Sequence, residues 1–523
     1  MAKFYVTTPI YYVNANPHIG HAYTQVIADT LARYHRMKGD DVFFLTGTDE
    51  HGEKIEEACL KAGFAKGGEK DFVDSIVANF KKAWEKLEIS HDGFIRTTDP
   101  EHEITVKRLL SRMKEKGDIY LGEYDGWFCT PCETFWTDTQ AEGEICPDCK
   151  RKVDRIKEKN YFFRMSAYQD WLIEHINSHP EFIMPALRRN EVLGFLKEKL
   201  TDLCISRPKD RMSWGIELPF DGQYVLYVWF DALINYLSAL EKGHGRAGYW
   251  PADIHLIAKD ILRHHAVYWP IMLRSMGLSM PETVFAHGWW KMGEEKMSKS
   301  RGNIVNPLDL ADKYGVDPVR YFLLKAVNLG MDGSFSEEAL VLMYNSDLAN
   351  DLGNLLNRTL TMVEKYFGGI APFLPDDLKD PAQSARSAEL LSAISEARKG
   401  SDALMLGKEL KIKEAIEVIM SVVCRANKYI EVSAPWKYAK EEGGMEAIKL
   451  IMADLLEVLM TACLGLSCVM PSTSKKMWAQ LGLEGDLSAH LKKMSLGQMT
   501  PQERMYPAGT RVAKGEPLFP RIQ

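Results

Sequence analysis

The sequence has few cysteines, and acidic residues interrupt its longest apolar stretch. Nine cysteines occur among 523 residues, four of them between 129 and 149 and five scattered singly. A secreted disulfide framework pairs its cysteines throughout, so we expect a reducing, cytoplasmic compartment. The most apolar long stretch, 451–470, contains Asp454 and Glu457, which favours a buried helix over a membrane span. The N-terminal residues lack the basic start and apolar stretch of a signal peptide.

An excess of positive charge is missing as well. Lys and Arg number 65 and Asp and Glu number 72, so the formal net charge is −7. This excludes a histone-like polycation that binds nucleic acid indiscriminately. It does not exclude selective binding of nucleic acid, because affinity depends on where the cations lie. At ~150 residues per domain, the length predicts three or four domains.

The first hundred residues alternate strand and helix patterns. A β-rich apolar run at 4–12 ends in a turn cluster, and a helical pattern follows from Gly20, with Gly39 as a plausible C-cap. A second apolar run at 42–46 suits a central parallel strand, and an amphipathic helix follows at 72–87. Strand, crossover helix and strand form the unit of a doubly wound α/β sheet.

This pattern breaks near Gly117 and resumes at 224–230, 254–258 and 283–286. After about Asp347 the strand patterns stop, and helical patterns cover 347–365, 404–432 and 447–469. A proline-containing loop at 368–380 follows the first of these. The sequence therefore predicts two halves of a Rossmann-like domain (1–117 and 222–290), an insertion (118–221), a loop region (291–346) and an all-α domain (347–523).

Three short motifs carry the chemistry, and the first is Pro17-His18-Ile19-Gly20-His21. It follows a predicted strand and opens a helix, whose free N–H groups and dipole favour an anion. Gly20 lets a nucleotide approach the backbone, and the two imidazoles can donate hydrogen bonds to charge that develops during transfer. The alternative is that both histidines are incidental turn residues.

The second motif is Lys296-Met297-Ser298-Lys299-Ser300, between Gly293 and Gly302. The glycines predict a mobile loop, and two lysines offer compact positive charge to a departing pyrophosphate. The alternative is a solvated basic turn.

The third motif pairs Cys129 with Cys132 and, thirteen residues later, Cys146 with Cys149. Four thiolates at these spacings suit one tetrahedral zinc ion, and no ligand position is left open, so we expect a structural metal. Two disulfides or a redox dithiol are the alternatives.

The first two motifs, in this order and in this context, resemble those of the class I aminoacyl-tRNA synthetases. The resemblance implies activation of an amino acid by ATP to an aminoacyl-adenylate, with release of pyrophosphate, and transfer of the acyl group to the 3′ end of tRNA. It implies that His18, Gly20 and His21 contact ATP, that Lys296 and Lys299 neutralise its β- and γ-phosphates, and that Mg²⁺ accompanies the nucleotide. His18, His21, Lys296 and Lys299 are thereby the expected catalytic residues.

In detail the sequence resembles the methionyl-tRNA synthetase family of the bacterial type over nearly the whole chain, on segments such as 6–14, 45–52, 206–208, 227–233 and 259–261. The resemblance implies a methionine pocket in which Asp49 pairs with the substrate ammonium and Tyr12 and His265 donate hydrogen bonds to sulfur. The other expected pocket residues form apolar walls: Ile10, Trp229, Ala232, Leu233, Tyr236 and Ile261. Aromatic residues at strand ends are more often core residues, which is the alternative.

Related synthetases for isoleucine, valine and leucine carry a large editing insertion, for which the insertion here is too small. In the cysteinyl enzyme dispersed ligands hold the zinc, unlike the compact knuckle at 129–149. The family therefore implies a Rossmann-like fold with an inserted zinc-knuckle domain, a loop and stem-contact region, and a C-terminal all-α anticodon-binding bundle.

The same resemblance extends to the C-terminal helices. It implies that Asn354, Arg358 and Trp436 contact the anticodon, since an indole ring can stack on an unpaired base; a buried core role for Trp436 is the alternative. The implied partners are ATP, L-methionine and tRNA(Met), elongator and initiator alike. Because no appended dimerisation domain follows the helices, we expect a monomer that does not associate with membranes. A small nucleotidyltransferase and a non-catalytic RNA-binding paralogue are the rival functions, disfavoured by the length and by the intact motifs.

Overall fold

The computed structural model describes residues 2–129, 134–136, 138, 141–147, 150–242, 246–292, 295–296, 305–374, 380–487, 489–490, 492 and 504–522. No helix in these ranges is long and apolar enough to cross a membrane. The first region comprises β1 (Lys3–Tyr12), α1 (Ile19–Lys38), β2 (Asp41–Asp49), α2 (Glu53–Lys61), α3 (Glu69–Lys86), β3 (Gly93–Arg96) and α4 (Pro100–Glu115).

The next region contains short strands and two helices: β4 (Ile119–Cys129), β5 (Thr134–Trp136), β6 (Asp154–Phe163), α5 (Gln169–Ser178), β7 (Ile183–Met184), α6 (Ala186–Phe195), β8 (Leu203–Cys204), β9 (Ser206–Pro208), β10 (Glu217–Leu218) and β11 (Asp221–Leu226). The α/β pattern then returns with α7 (Val228–Leu233), α8 (Asn235–Lys242), β12 (Ile254–Ala258), α9 (Trp269–Met276), β13 (Thr283–His287), β14 (Trp290–Met292) and β15 (Glu295–Lys296).

The remainder is dominated by helices: α10 (Pro307–Tyr314), α11 (Val316–Lys325), then the short β16 (Gly333–Ser334), α12 (Glu337–Met343), a π-helical segment (Tyr344–Gly353), α13 (Asn354–Phe367), α14 (Pro381–Leu406), α15 (Ile412–Ser433), α16 (Pro435–Tyr438), α17 (Met445–Gly465) and α18 (Pro471–Gln480).

Within the described residues, six strands form one fully parallel sheet in the order β3-β2-β1-β12-β13-β7. The helix α1 crosses from β1 to β2, so consecutive strands lie side by side, as in a doubly wound fold. The carboxyl ends of the strands meet at one edge of the sheet, where Tyr12 lies beside Asp49. The predicted Rossmann-like core is confirmed, and its edge is the expected place for a ligand.

The helix α1 ends as its sequence predicts. Gly39 adopts the left-handed conformation at φ 89°, and its N–H group bonds back to carbonyls of the last turn. Only glycine takes this conformation without a steric cost. The apolar face of α1, with Val26, Ile27 and Leu31, is fully buried against the sheet.

The inserted region is not a separate body. Its strands form two small antiparallel sheets, in the orders β5-β4-β6-β8 and β10-β11-β9. However, β7 of the same region belongs to neither of these sheets. It extends the central sheet, because Ile183 pairs with Val284 of β13. Ile183 is fully buried there. A two-residue strand carries too little periodicity for the sequence to reveal it.

The apolar run 224–230, which the sequence analysis takes as the return of the α/β pattern, has a different structure. Its first half is the end of β11, which pairs antiparallel with β9. Its second half begins α7, whose first turn is closed by the Asp231 N–H group bonding to the Tyr227 carbonyl. A short apolar run that is buried on every side can be a strand or a short helix. Its sequence pattern does not distinguish the two.

The C-terminal region is rich in helices, as predicted, with one difference in the bounds of its helices. The stretch 404–432 is not one helix, because α14 ends at Leu406 and α15 begins at Ile412. Leu410, in the break, has a φ of 50°. The described part of the predicted loop, 368–374, is non-helical, as expected.

One buried arginine joins the helical domain to the sheet layer. Arg320 of α11 forms an ion pair with Asp29 of α1 at 2.6 Å, and both side chains are fully buried. Its guanidinium group also donates to the carbonyls of Leu87, Cys468 and Val469. A buried ion pair is favourable only when its remaining donors are satisfied, and here these carbonyls satisfy them.

Candidate active site

The first motif caps α1 with its own two histidines. Nδ1 of His18 accepts a hydrogen bond from the Gly20 N–H group at 3.1 Å, and Nδ1 of His21 accepts one from the His18 N–H group at 3.4 Å. The two rings stack with their centroids 3.7 Å apart. Because each Nδ1 is an acceptor, the proton of each neutral ring lies on Nε2. The motif thus supplies two Nε2–H donors at a helix N-terminus, where an anion is favoured.

Gly20 has a second role that the sequence analysis missed. A Cβ atom at this position would lie 2.9 Å from Cε1 and 3.1 Å from Nδ1 of His18. Any side chain would therefore displace the capping ring. Glycine is needed both for a close ligand and for the histidine beside it.

The chain beyond the second motif returns to the first. The backbone of the motif begins in β15, where Lys296 pairs with Lys291 of β14; the side chain of Lys296 and the whole of Lys299 lie outside the described residues. Where the chain is described again, the Val305 carbonyl accepts a hydrogen bond from the Ile19 N–H group at 3.1 Å. The segment that follows the second motif therefore contacts the N-terminus of α1.

An aromatic pocket lies beside them at the carboxyl end of β1. The rings of Tyr12 and Trp229 are 6.2 Å apart and perpendicular, and the Lys54 ammonium lies 4.9 Å from the Tyr12 ring. Tyr12, Trp229, Ile10 and Ile261 are partly buried, so they can form walls open to a ligand. Of the predicted pocket residues, Tyr12 and Trp229 are therefore in ring contact, and Ile10 and Ile261 pack against the same apolar cluster.

The remaining predicted wall residues lie deeper. Ala232, Leu233 and Tyr236 are nearly fully buried in the core under the pocket. Tyr236 contacts His255 and Trp269 through its ring and His265 through its hydroxyl group. These residues support the pocket from below.

The structure does not give His265 the hydrogen-bonding role expected from the sequence. Its Nδ1 lies 3.0 Å from the Ile261 carbonyl and its Nε2 lies 2.7 Å from the Tyr236 hydroxyl. Burial lowers its pKa to about 4, so the ring is neutral near pH 7 and has a single N–H group, which the Ile261 carbonyl accepts. The ring then has no N–H group to donate to a sulfur atom, and of the two predicted donors Tyr12 remains.

A neighbour of His265 belongs to the pocket and was missed. The ring of His264 stacks on Trp229 with the centroids 3.7 Å apart. Its Nδ1 is buried and has no hydrogen-bond partner among the described residues. Residues 264–268 form a π-helical turn, a feature common at functional sites. No sequence pattern announces such a turn, which explains the omission.

Asp49 ends β2 directly beside Tyr12, in register with it. The Asp49 side chain is 2% exposed, and the Val13 N–H group bonds to the Asp49 carbonyl at 3.3 Å. A buried carboxylate next to an aromatic pocket is well placed to pair with a cationic group of a bound ligand.

The cysteine motif is described in part, since Cys132 and Cys149 lie outside the described residues. Cys129 and Cys146 are fully buried and share one small apolar cluster with Trp136, Ala141 and Val153. The Lys150 N–H group bonds back to the Cys146 carbonyl at 3.0 Å. One thiol from each half of the motif is thus brought into the same cluster, which fits a shared metal.

The three predicted anticodon residues lie on the helical domain. Asn354 is exposed at the start of α13, and one turn later Arg358 forms an ion pair with Glu431 of α15 at 2.6 Å. Trp436 follows α15 and is 40% exposed. The buried-core alternative for Trp436 is therefore excluded.

Comparison with known proteins extends these observations over the whole chain. The family model of the class I tRNA synthetases (M) matches residues 4–156 and 150–360. The methionine–tRNA ligase of Caldanaerobacter subterraneus subsp. tengcongensis is 47% identical over 523 residues, covering 99% of this chain and 79% of that protein. The ligase of Clostridium tetani is 45% identical over 524 residues, covering 99% and 78%.

Solved structures agree. Mycobacterium tuberculosis methionyl-tRNA synthetase in complex with methionyl-adenylate matches with a TM-score of 0.91 at 39% identity, over 100% of both chains. The free form of the same enzyme matches with a TM-score of 0.84 at 36% identity, over 100% of this chain and 99% of that one.

The match of the family model spans both motifs, the six-stranded parallel sheet and the inserted region. The chain therefore belongs to the class I tRNA synthetases. Within that class it belongs to the methionine–tRNA ligases, which attach methionine to tRNA at the expense of ATP. The resemblance on which the sequence analysis depends is confirmed.

Proposed function

We propose that this chain activates L-methionine in the crevice at the carboxyl edge of the sheet and then charges tRNA(Met), elongator and initiator. A methionine carboxylate oxygen attacks the α-phosphorus of ATP, and the bond to pyrophosphate breaks. A hydroxyl group at the tRNA 3′ end then attacks the carbonyl carbon, and AMP leaves. The observation that carries the proposal is the hydrogen bond from the Ile19 N–H group to the Val305 carbonyl, which brings the segment after the second motif to the first motif at the N-terminus of α1.

The first motif supplies the electrostatic part of the reaction. The Nε2–H groups of His18 and His21 and the N-terminus of α1 are preorganised to stabilise negative charge on the phosphates. Such donors cost no reorganisation at the moment of reaction. Lys296 and Lys299 complete the site by neutralising the β- and γ-phosphates, and Mg²⁺ enters as the counter-ion of ATP.

The aromatic pocket supplies the specificity. Asp49 pairs with the methionine ammonium, while Trp229 and His264 offer a stacked aromatic wall to the flexible thioether. Tyr12 donates to the sulfur atom. A site built to donate a hydrogen bond rejects leucine better than an apolar pocket alone, since one methylene-sized difference is worth only ~1–3 kcal/mol.

The direct test of this function is a charging assay. The chain, incubated with ATP, Mg²⁺, radiolabelled methionine and tRNA, should produce acid-precipitable methionyl-tRNA. Leucine, isoleucine or valine in place of methionine should produce none. Charging with one of these instead would contradict the proposal. The monomeric state, the cytoplasmic compartment and the lack of membrane association stay predictions of the sequence.

We also propose that Cys129, Cys132, Cys146 and Cys149 hold one zinc ion, whose role is to close the knuckle of the inserted region. Cys146→Ser should lower the zinc content of the purified protein to well below one per chain, because a hydroxyl group is a poor replacement for a thiolate ligand. Elemental analysis measures this. Cys204→Ser, at a buried cysteine outside the motif, should retain the metal. Full zinc in Cys146→Ser would contradict the four-thiolate assignment.

The exposed indole of Trp436 is proposed to stack on an anticodon base. Stacking on an aromatic side chain is worth ~1–3 kcal/mol per base, so Trp436→Ala should lower kcat/KM for tRNA by about 5- to 100-fold. Methionine-dependent pyrophosphate exchange, which needs no tRNA, should not change. Val432→Ala, at an exposed apolar residue of α15, is the matched control and should leave both activities intact. An equal loss of both activities in Trp436→Ala would make it a folding residue.

A further inference from the structure

A buried carboxylate lies between two histidines next to the methionine pocket. Asp231 Oδ2 is 2.7 Å from Nδ1 of His51, and Asp231 Oδ1 is 2.6 Å from Nε2 of His102. Nδ1 of His102 in turn lies 2.7 Å from the Ser238 hydroxyl. Asp231, His51 and His102 are at most 4% exposed. No step proposed above uses these groups.

The chemistry of the groups fixes the direction of the two hydrogen bonds at Asp231. A carboxylate only accepts, so both imidazoles donate to it. The other nitrogen of His102 contacts the Ser238 hydroxyl, which also lies 3.3 Å from the Asn235 carbonyl. Burial by itself raises the pKa of Asp231, but the two adjacent imidazoles outweigh it and hold the pKa below its usual range. Each oxygen of the ionised Asp231 carboxylate therefore accepts a hydrogen bond from one imidazole.

The carboxylate connects the two sides of the pocket. Asp231 lies on α7, two residues after Trp229, whereas His51 lies two residues after Asp49 in the loop between β2 and α2. Through His102 and Ser238 it also ties α7 to α4 and α8. One side chain thus links the wall that would hold the thioether to the residue that would hold the ammonium.

The loop that carries His51 is held from its other side as well. The Glu50 carboxylate accepts two hydrogen bonds from Arg96, at 2.6 and 2.8 Å, and one from Thr98 at 2.6 Å. The indole of Trp214 donates to the Glu50 carbonyl and its ring contacts His51. With Glu50 anchored to the end of β3, the contact between His51 and Asp231 determines how far the loop stands from α7.

We propose that Asp231 is a positioning residue for methionine, which through His51 and His102 sets the distance between Asp49 and Trp229. The inference rests on the proposed function, since it assigns these two residues to the substrate. A misplacement of about 1 Å can cost about 100-fold in rate or affinity. The network lies on α4, α7, α8 and the loop after β2, whereas the proposed ATP side of the crevice is built from α1 and the second motif.

The test separates methionine from ATP in pyrophosphate exchange. Asp231→Asn keeps the shape of the side chain but replaces one carboxylate oxygen by an NH2 group. This donor would face the N–H group of one of the two histidines. We expect the KM for methionine to rise about 10- to 100-fold, with the KM for ATP within about threefold of that of the unaltered chain. An unchanged KM for methionine, or an equal rise in both KM values, would overturn the inference.

A second pair of variants covers the case in which Asp231→Asn fails to fold. The amide nitrogen of asparagine can take the place of Nδ1, so His51→Asn should keep the donor and a KM for methionine within about threefold of the unaltered chain. His51→Phe has no donor and should show the same rise as Asp231→Asn. Equal behaviour of the two His51 variants would overturn the inference.

Two controls make the outcome specific. Asp454→Asn changes another buried, hydrogen-bonded carboxylate, in α17 and far from the crevice in the chain, and should lower the melting temperature without changing the KM for methionine. The unaltered chain must itself show methionine-dependent exchange. A failure there refutes the proposed function, whereas normal exchange with unaffected variants refutes the positioning role alone.

Discussion

Replacing His21 by asparagine should slow methionyl-adenylate formation by about 100- to 1,000-fold, the usual cost of losing one preorganised donor to a transition state. His21 plays two roles in the structure: its Nδ1 accepts from the His18 N–H group, and its Nε2 carries the proton. Asparagine keeps a polar acceptor at the δ position but has no atom where Nε2 lies. The cap on α1 is therefore retained while the donor to ATP is lost.

The rate of single-turnover adenylate formation measures this effect, and two further variants interpret it. His21→Ala should lose the donor together with the cap, with an additional loss of stability of ~0.5–2 kcal/mol. His35→Asn makes the same replacement at the other end of α1, where the ring stacks on Phe4, and should leave the rate unchanged. Normal adenylate formation in His21→Asn would remove His21 from the catalytic residues.

Replacing Asp49 by asparagine should raise the KM for methionine by about 30-fold or more. The Asp49 side chain is nearly fully buried beside Tyr12, so a bound ammonium there leaves water and depends on the carboxylate for compensation. Removing one partner of such a buried, hydrogen-bonded charge pair costs about 2–5 kcal/mol. The KM in methionine-dependent pyrophosphate exchange measures the effect.

Inhibition by methionine analogues tests whether Asp49 acts on the substrate ammonium. Methioninol keeps the ammonium, so Asp49→Asn should weaken inhibition by methioninol as much as it weakens the binding of methionine. An analogue without the amino group should inhibit the variant and the unaltered chain alike. Asp41→Asn, at the opposite end of the same strand and bonded to the Tyr249 hydroxyl, serves as the control. Equal weakening of both analogues would place Asp49 elsewhere in the reaction.

Much of the fold is readable in the sequence because local and long-range signals agree. The C-terminal end of α1 follows from its residues, since Gly39 takes the left-handed conformation there, whereas the cap that His18 forms at the other end is seen only in the structure. The run that becomes β1 is β-rich and apolar, as a strand buried on both faces requires. The place of the ligand crevice follows from the parallel sheet itself.

The features that escape the sequence depend on tertiary contacts. β7 is a two-residue strand defined only by its partner β13, and α7 has the composition of a strand. The family resemblance names His265 as a pocket residue, but the use of its nitrogens depends on the Ile261 carbonyl and the Tyr236 hydroxyl. His264 enters the pocket through a π-helical turn, which no periodicity predicts.

The central claim is that the crevice activates methionine and no other amino acid. ATP–pyrophosphate exchange with each of the twenty amino acids in turn, without tRNA, tests it most directly. The account predicts strong exchange with methionine and only background exchange with the others, leucine and isoleucine included. Strong exchange with a different amino acid, or none with methionine from a folded protein, would contradict it.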